Sequence, residues 1–162
     1  MRVSLKRWTL LLFLPAFLAA CSPSKQRPVV EIEFLAARTM ADAVLDDLIK
    51  NNAKDLMERL DVGFNSVVKS EKDLSNVLEK MYVTYGRPQS GELKVSRASV
   101  RVDAQWQRPN RTFWYAVKTT KYPKDYFLKV EVVRAFSSDN LDIAGFGFVT
   151  FNDSSKVPNY MK

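Results

Sequence analysis

The hydrophobic pattern of this chain changes once, between Tyr85 and Gly91, and this change limits the possible fold more than any other feature. Before it, apolar residues recur at steps of three and four, the spacing typical of helices that bury one side. After it, apolar and polar residues alternate, as they do in half-buried strands. Helices followed by strands with short connections predict an α+β domain, in which N-terminal helices pack on a curved antiparallel four-stranded sheet.

The first helix is expected to begin at Phe34, with an apolar stripe that reaches Ile49. Asn51-Asn52 then predicts a left-handed turn, because asparagine tolerates a positive φ. Three acidic residues of this helix are expected largely on its solvent side: Asp42, Asp46 and Asp47. The sequence therefore predicts an amphipathic helix that ends at the two asparagines.

Two further helices are predicted, a short one over Ala53–Leu60 and a longer one that Ser70 caps. Gly86 should stop the longer helix, and Pro88 should prevent it from resuming. The apolar stripe of that helix contains Leu74, Val77, Leu78, Met81, Tyr82 and Tyr85.

The strands begin after Gly91, and a change of alternation between Val95 and Ala98 indicates a bulge there. Turns are predicted at Arg108–Arg111, at Tyr122–Asp125 and at Ser137–Asn140. Two strands each place a set of apolar residues on one face: Phe113, Tyr115 and Val117 in one, and Tyr126, Leu128, Val130 and Val132 in the next. The sequence therefore predicts an antiparallel meander.

The last predicted strand, from Ile143 to Phe151, carries apolar residues on both faces. Strict alternation places Ile143 and Val149 on one face and Ala144, Phe146 and Phe148 on the other. Either the second face meets another protein or a second copy, or a bulge exchanges the faces and the terminal segment covers one of them. The glycines at 145 and 147 indicate bending or the close approach of a neighbouring element.

The N-terminus has a basic start, then an apolar stretch from Trp8 to Ala20 that is too short to span a bilayer as a helix. Leu18-Ala19-Ala20-Cys21 follows, and it resembles the lipobox of bacterial lipoproteins. The resemblance implies cleavage between Ala20 and Cys21 and lipidation of Cys21. It also implies a lipid anchor in the bacterial cell envelope, and Ser22, in place of aspartate, favours the outer membrane facing the periplasm. The expected organisation is a signal peptide at 1–20, a tether at 21–31, the α+β domain at 32–152 and a tail at 153–162.

The order of elements resembles the cystatin-like fold of the nuclear-transport-factor-2-like superfamily, and small bacterial lipoproteins of that fold. The stretches that carry the resemblance are Ala36–Leu60, Lys72–Gly86 and Gly91-Glu-Leu-Lys-Val95. The resemblance implies a cone with a pocket at its open end, for which Tyr82, Trp114 and Phe127 are the candidate lining residues. Phe146 and Phe148 are candidates for an interface.

The chain has no histidine and a single cysteine, which excludes the usual zinc sites and histidine-based catalytic groups. Asp103 is the only acid placed as a catalytic candidate, so we expect a non-enzymatic protein without cofactor or metal. The net charge of +7 is too diffuse to indicate nucleic-acid binding. Seven basic residues of the strand half could meet an anionic surface: Arg97, Arg101, Arg108, Arg111, Lys118, Lys121 and Lys124.

Two functions remain open from the sequence, besides an enzyme, which would need a buried Asp103 that faces a pocket. One is a protein-interaction module of the periplasm, anchored to the membrane through its lipid and bound to an envelope protein or to a second copy. The alternative is a module that binds a small ligand or a lipid in the pocket of the cone.

Overall fold

The structure is a computed structural model that describes residues 32–103, 106–122, 126–136 and 138–150. The predicted signal peptide, the lipidation site at Cys21, the tether at 21–31 and the tail at 153–162 lie outside the described residues. So do residues 123–125 of one predicted turn, including Lys124. The side chain of Asp103 also lies outside the description.

Three helices precede the sheet: α1 (Phe34–Lys50), α2 (Ala53–Glu58) and α3 (Glu71–Tyr85), with a 3-10 turn at Phe64–Ser66. The local signals for their ends are confirmed. Asn51 has a φ of 58° after α1, and Gly86 has a φ of 81° after α3. The Ser70 hydroxyl accepts a hydrogen bond from the Asp73 N–H, as expected of an N-cap. Only α2 is shorter than predicted.

The sheet contains β1 (Pro88–Asp103), β2 (Trp106–Thr119), β3 (Tyr126–Arg134) and β4 (Leu141–Thr150). The strands lie in the order β1-β2-β3-β4, and every neighbouring pair is antiparallel. Helices first and an antiparallel meander after them confirm the α+β class.

The helices cover one face of the sheet, and the core lies between the two layers. Phe113, Tyr115 and Val130 are buried there beneath the apolar residues of the helices. At Gly91 the layers come so close that a Cβ would lie 2.8 Å from a methyl group of Leu45. A side chain at position 91 would therefore require the Leu45 side chain of α1 to shift.

Two assignments within the helices are wrong. Val77 of α3 is 42% exposed, because the core takes only Leu74 and Leu78 from the middle of that stripe. Asp47 is 4% exposed rather than on the solvent side of α1, because it pairs with Arg59 after α2. The contact depends on how the two helices fold back on one another, which periodicity within one helix does not report.

The predicted turn at Arg108–Arg111 is also wrong, since β2 runs through it. Pro109 pairs with Val100 of β1, but the pairing of β2 with β3 stops at Asn110. A proline is tolerated there because only one side of the strand has a partner. Proline and asparagine, which are typical of turns, here mark the point where the pairing of β2 with β3 ends.

The bulge predicted in β1 is present, but it lies between Leu93 and Val95. A second irregularity pairs Glu131 with Gly145 and Val132 with Ile143, which leaves Ala144 as an extra residue. As a result Ile143 lies on the helix-covered face together with Phe146 and Phe148. Of the two alternatives for this strand, the bulge that exchanges the faces is therefore confirmed, while the terminal segment lies outside the described residues. Ile143 is not separated from Phe146 and Phe148 as strict alternation predicts, and β4 is apolar chiefly on one face.

Within the described part of the chain, each helix is too short or too polar to cross a membrane.

Candidate functional site: the outer face of the sheet

The sheet face opposite the helices, called the outer face below, combines aromatic and charged side chains. Trp114 of β2 pairs with Lys129 of β3, and Phe127 pairs with Val149 of β4. These positions alternate with the buried Phe113 and Leu128, and they are therefore on the other side of the pleat. Their side chains are partly exposed.

A cluster of charged side chains surrounds Trp114 on this face. The Lys129 ammonium lies 5.6 Å from the centre of the Trp114 ring, within the range of a cation–π contact. Lys129 also forms an ion pair with Glu131, and the Arg101 guanidinium lies 3.4 Å from a carboxylate oxygen of Glu131. Trp114 and its charged neighbours therefore hold one another in place across three strands.

A shallow open groove of about 240 Å³ lies beside this cluster, along β3 and β4. Its lining consists of Lys129, Glu131 and the residues 145–149. A Cβ on Gly145 would be 3.6 Å from Glu131, and one on Gly147 would meet nothing within 4 Å. The two glycines thus leave space open on the outer face, and the predicted close approach occurs at Gly91 instead.

A buried ion pair closes one end of the sheet. Two nitrogens of Arg108 donate to the two carboxylate oxygens of Asp61, at 2.9 and 3.0 Å. The same guanidinium donates to the Arg134 carbonyl at 3.3 Å and lies 3.7 Å from the centre of the Phe136 ring. Asp61 is held at the edge of β4, where its N–H donates to the Ile143 carbonyl at 2.9 Å.

Burial and neighbouring charges shift the pKa values of three acids of the fold. Burial acts to raise the pKa of Asp61, but the hydrogen bonds and charge of Arg108 outweigh it and hold that pKa below its usual range. Burial, followed by repulsion from Asp61, raises the pKa of Asp142. Burial also raises the pKa of Asp47 despite its hydrogen bond with Arg59.

Tyr82, Trp114 and Phe127 do not come together in one pocket. Tyr82 lies on α3, where its hydroxyl donates to the Leu48 carbonyl at 2.9 Å, and burial raises its pKa to about 12. Trp114 and Phe127 lie on the outer face, across the sheet from the helices. Tyr82 instead lines a separate cavity of about 410 Å³, together with Asn51, Ser75, Glu79 and Val83.

Phe146 and Phe148 contact the helical layer. Phe146 stacks on Phe64 with ring centres 5.8 Å apart, and Phe148 lies 5.5 Å from the ring centre of Tyr85. Both are partly buried against the core. The two side chains predicted to form an interface therefore pack against the helical layer and do not lie on the outer face.

The basic residues of the strand half do not form one continuous surface. Arg108 is buried against Asp61, and Arg111 lies on the helix side, where it donates to the Ile32 carbonyl at 3.4 Å. Lys121 donates to the carbonyl of Val83 at the end of α3. Only part of the set thus lies on the outer face, where Arg97 and Arg101 occupy β1.

The described residues contain no group of three or more His, Cys, Asp or Glu side chains arranged to hold a metal ion. Asp103 is the last residue of β1. The role of Asp61 could not be recognised from the sequence, because an aspartate between Leu60 and Val62 carries no pattern of its own.

No protein family, no curated protein and no solved structure matches this chain. The resemblances to bacterial lipoproteins and to the cystatin-like fold therefore stay predictions from the sequence.

Proposed function

We propose that this chain is a non-enzymatic, lipid-anchored protein of the bacterial cell envelope whose outer face binds a partner protein in the periplasm. The observation that carries the interaction is the cluster of Trp114, Lys129, Glu131 and Arg101 beside the groove at Gly145 and Gly147. Tryptophan and arginine are enriched in the residues that dominate binding energy at protein interfaces.

The geometry of the cluster supports this use. Its charged groups are paired with one another before any partner arrives, so binding orders few side chains. Gly145 and Gly147 leave two positions of β4 without side chains in the groove, beside the Lys129 that contacts the tryptophan. The partner that fits is a protein with an apolar or aromatic side chain for the groove and charges of both signs around it.

The anchor rests on the segment that ends in Leu18-Ala19-Ala20-Cys21. Cys21 to Val30 spans at most about 30 Å when extended, enough to hold the domain clear of the lipid headgroups. Several acyl chains on one residue would attach the protein firmly, because each buried CH₂ contributes about 0.8 kcal/mol. The outer face would then be available to proteins of the periplasm.

The anchor is tested with Cys21→Ser. We expect this variant to lose incorporation of labelled palmitate and to leave the membrane fraction, whereas Ser22→Ala keeps both. Ser22→Asp should move the protein from the outer-membrane fraction to the inner-membrane fraction. A Cys21→Ser protein that is still acylated and membrane-bound would refute the anchor.

The interaction is tested with a photoactivatable phenylalanine analogue at position 147, where a side chain meets nothing within 4 Å. The matched control is the same analogue at Val83, which is 65% exposed on α3. We expect one reproducible adduct from position 147 that is absent from position 83. Trp114→Ala should reduce its yield at least tenfold, since a central tryptophan is commonly worth about 2 kcal/mol or more. Equal adducts from both positions, or an adduct indifferent to Trp114, would refute this role of the outer face.

The alternative is a module that binds a small ligand, and the cavity at Tyr82 is the observation that favours it. Its lining mixes the Tyr82 ring and Val83 with three polar side chains, which is suited to a small polar molecule. Native mass spectrometry of the protein purified under mild conditions tests this function. An added mass that Tyr82→Ala abolishes would support it, and a bare protein would count against it.

A further inference from the structure

The strand β1 forms one edge of the described sheet and is its longest strand, with 16 residues. It pairs with β2 from Pro88 to Asp103, but the pairing of β2 with β3 stops at Asn110. From Val100 onward, β1 therefore continues with β2 as a two-stranded ribbon beyond β3. An edge of this length presents a row of backbone groups to which another strand can pair.

The two halves of this edge differ. The near half contains the bulge between Leu93 and Val95, and Lys94 forms an ion pair with Glu92 at 2.7 Å. Bulges and charges are the devices that keep edge strands from pairing. The far half, residues 96–103, has no bulge and directs Arg97 and Arg101 to the outer face. In alternation with them it places Ala98, Val100 and Val102 on the other face, all exposed, with Val100 at 48% and Val102 at 65%. Small and β-branched side chains there favour a neighbouring strand.

Pro109 indicates where the backbone groups of the far half point. Pro109 lies opposite Val100 and has no N–H to give it. Paired residues of an antiparallel ladder alternate between exchanging two hydrogen bonds and exchanging none, so Val100 is at a position of the second kind. Its own N–H and C=O are then directed to the free edge, and by the same alternation so are those of Ala98 and Val102.

We propose that a second copy of this chain pairs with this edge, antiparallel, with Val100 opposite Val100 and Ala98 opposite Val102. In this register all three apolar positions pair with one another, and each contributes backbone groups that face the partner. A shift by two residues would place Ala98 or Val102 opposite a position outside the set. A shift by one would place Val100 opposite Arg101, whose N–H and C=O are directed to β2, so the two residues could not exchange hydrogen bonds. The dimer is isologous, as most homodimers are.

The two-fold axis of such a dimer passes between the two Val100 residues, perpendicular to the sheet, so that the eight strands form one continuous sheet. Both helical layers then lie on the same side of it, and so does Ile32, which is buried in the core beneath the helices. If the chain is lipid-anchored, both tethers therefore begin on one side of the dimer and can reach the same membrane. This consequence rests on the proposed function, whereas the pairing of β1 does not.

The pairing is tested in the full chain, in its own membrane, with Val100→Cys and a short bifunctional thiol reagent. Val83→Cys is the matched control, because Val83 is also an exposed valine but lies on α3. The parent chain, with Cys21 as its only cysteine, controls for that thiol. We expect a product of twice the chain mass at Val100→Cys, at least tenfold above both controls. Equal yields at the two positions would overturn the proposal.

Val100→Lys provides a second measurement, because it places two ammonium groups face to face at the axis. We expect the dissociation constant of the dimer to rise at least tenfold in sedimentation equilibrium of the detergent-solubilised chain, while Val83→Lys leaves it unchanged. Val100 is half exposed, so the circular dichroism of the variant should stay that of the parent. A Val100→Lys chain that dimerises like the parent would overturn the proposal, and so would an adduct of Val100→Cys to a different protein. The adduct at position 147 reports on the outer face alone, so the two proposals can fail separately.

Discussion

Removal of the Asp61 carboxylate is the change from which we expect the largest loss of stability. Asp61 and Arg108 are buried, with side chains 2% and 6% exposed, and they are joined by two charge-assisted hydrogen bonds. Asp61→Ala leaves the guanidinium buried without its counter-charge. Such a loss typically costs about 3–5 kcal/mol. Arg108 keeps the Arg134 carbonyl and the Phe136 ring, so we expect a value near the lower end, about 3 kcal/mol.

The assay is urea unfolding of the purified chain, followed by tryptophan fluorescence. With a denaturant slope of about 1–3 kcal/mol per M, the midpoint should fall by about 1–3 M. Asp46→Ala is the matched control, because Asp46 pairs with Lys50 at the surface and should change stability by less than about 1 kcal/mol. The double variant Asp61→Leu, Arg108→Met should recover most of the loss, since it leaves no charge buried.

The loss should also depend on pH. The pKa of Asp61 is held below its ordinary value of 3.8 in the folded chain, so its contribution is present above pH 3.8. It disappears as the pH falls through the folded pKa, and the difference between the parent and Asp61→Ala should shrink accordingly. A loss of the same size for Asp61→Ala and Asp46→Ala at pH 7 would refute the reasoning.

Three further predictions follow from the contacts around the sheet. Gly91→Ala should lower stability by about 1–3 kcal/mol, because its Cβ would lie 2.8 Å from Leu45. Gly147→Ala should leave the midpoint of urea unfolding unchanged or raise stability by up to about 1 kcal/mol, because the added methyl group meets nothing within 4 Å. Equal losses of stability at the two glycines would contradict the geometry. Asp142→Asn should raise the melting temperature at pH 7 and not below pH 3.8, because burial and Asp61 raise the pKa of Asp142, so that ionising it costs stability as the pH rises. An unchanged melting temperature at both pH values would contradict this.

The ends of the helices could be predicted because each depends on the chemistry of one or two neighbouring residues. Asn51 and Gly86 adopt the positive φ that their side chains permit, and Ser70 accepts the hydrogen bond for which N-caps are selected. The class of the fold follows from the same local information, since period and turn residues determine which segments are helices and which are strands.

The register of the strands could be predicted less well, because it depends on the partner strand. Pro109 predicted a turn, but it lies within β2. It pairs with β1 and lacks a partner only on the side of β3. The extra residue Ala144 becomes visible only when β4 is aligned with β3, and it reverses the side on which Ile143 lies relative to Phe146. Because of this one extra residue, Ile143, Phe146 and Phe148 all lie on the helix-covered face, and the described residues of β4 form no second apolar face for an interface.

The candidate site was the least accessible to sequence analysis. Lys129 and Glu131 alternate with the buried Leu128 and Val130 of β3, which places them on the outer face with Trp114. The contacts with Trp114 and Arg101 join three strands and leave no trace in any one segment. Asp47, Asp61 and Arg108 are buried charges whose partners lie far along the chain, so composition alone would place them at the surface.

The pair of Asp61 and Arg108 has a consequence for the time course of folding. The two residues are 47 positions apart, and Leu60 next to the pair forms a parallel bridge with Ile143 of β4. The three hairpins of the sheet can form from neighbouring segments, but this junction requires the loop after α2 to meet a sheet that is already assembled. We expect such late contacts to slow unfolding and to leave the rate of folding almost unchanged. The segment from Arg59 to Asp61 would therefore govern how long the folded chain persists, and not how quickly it is reached.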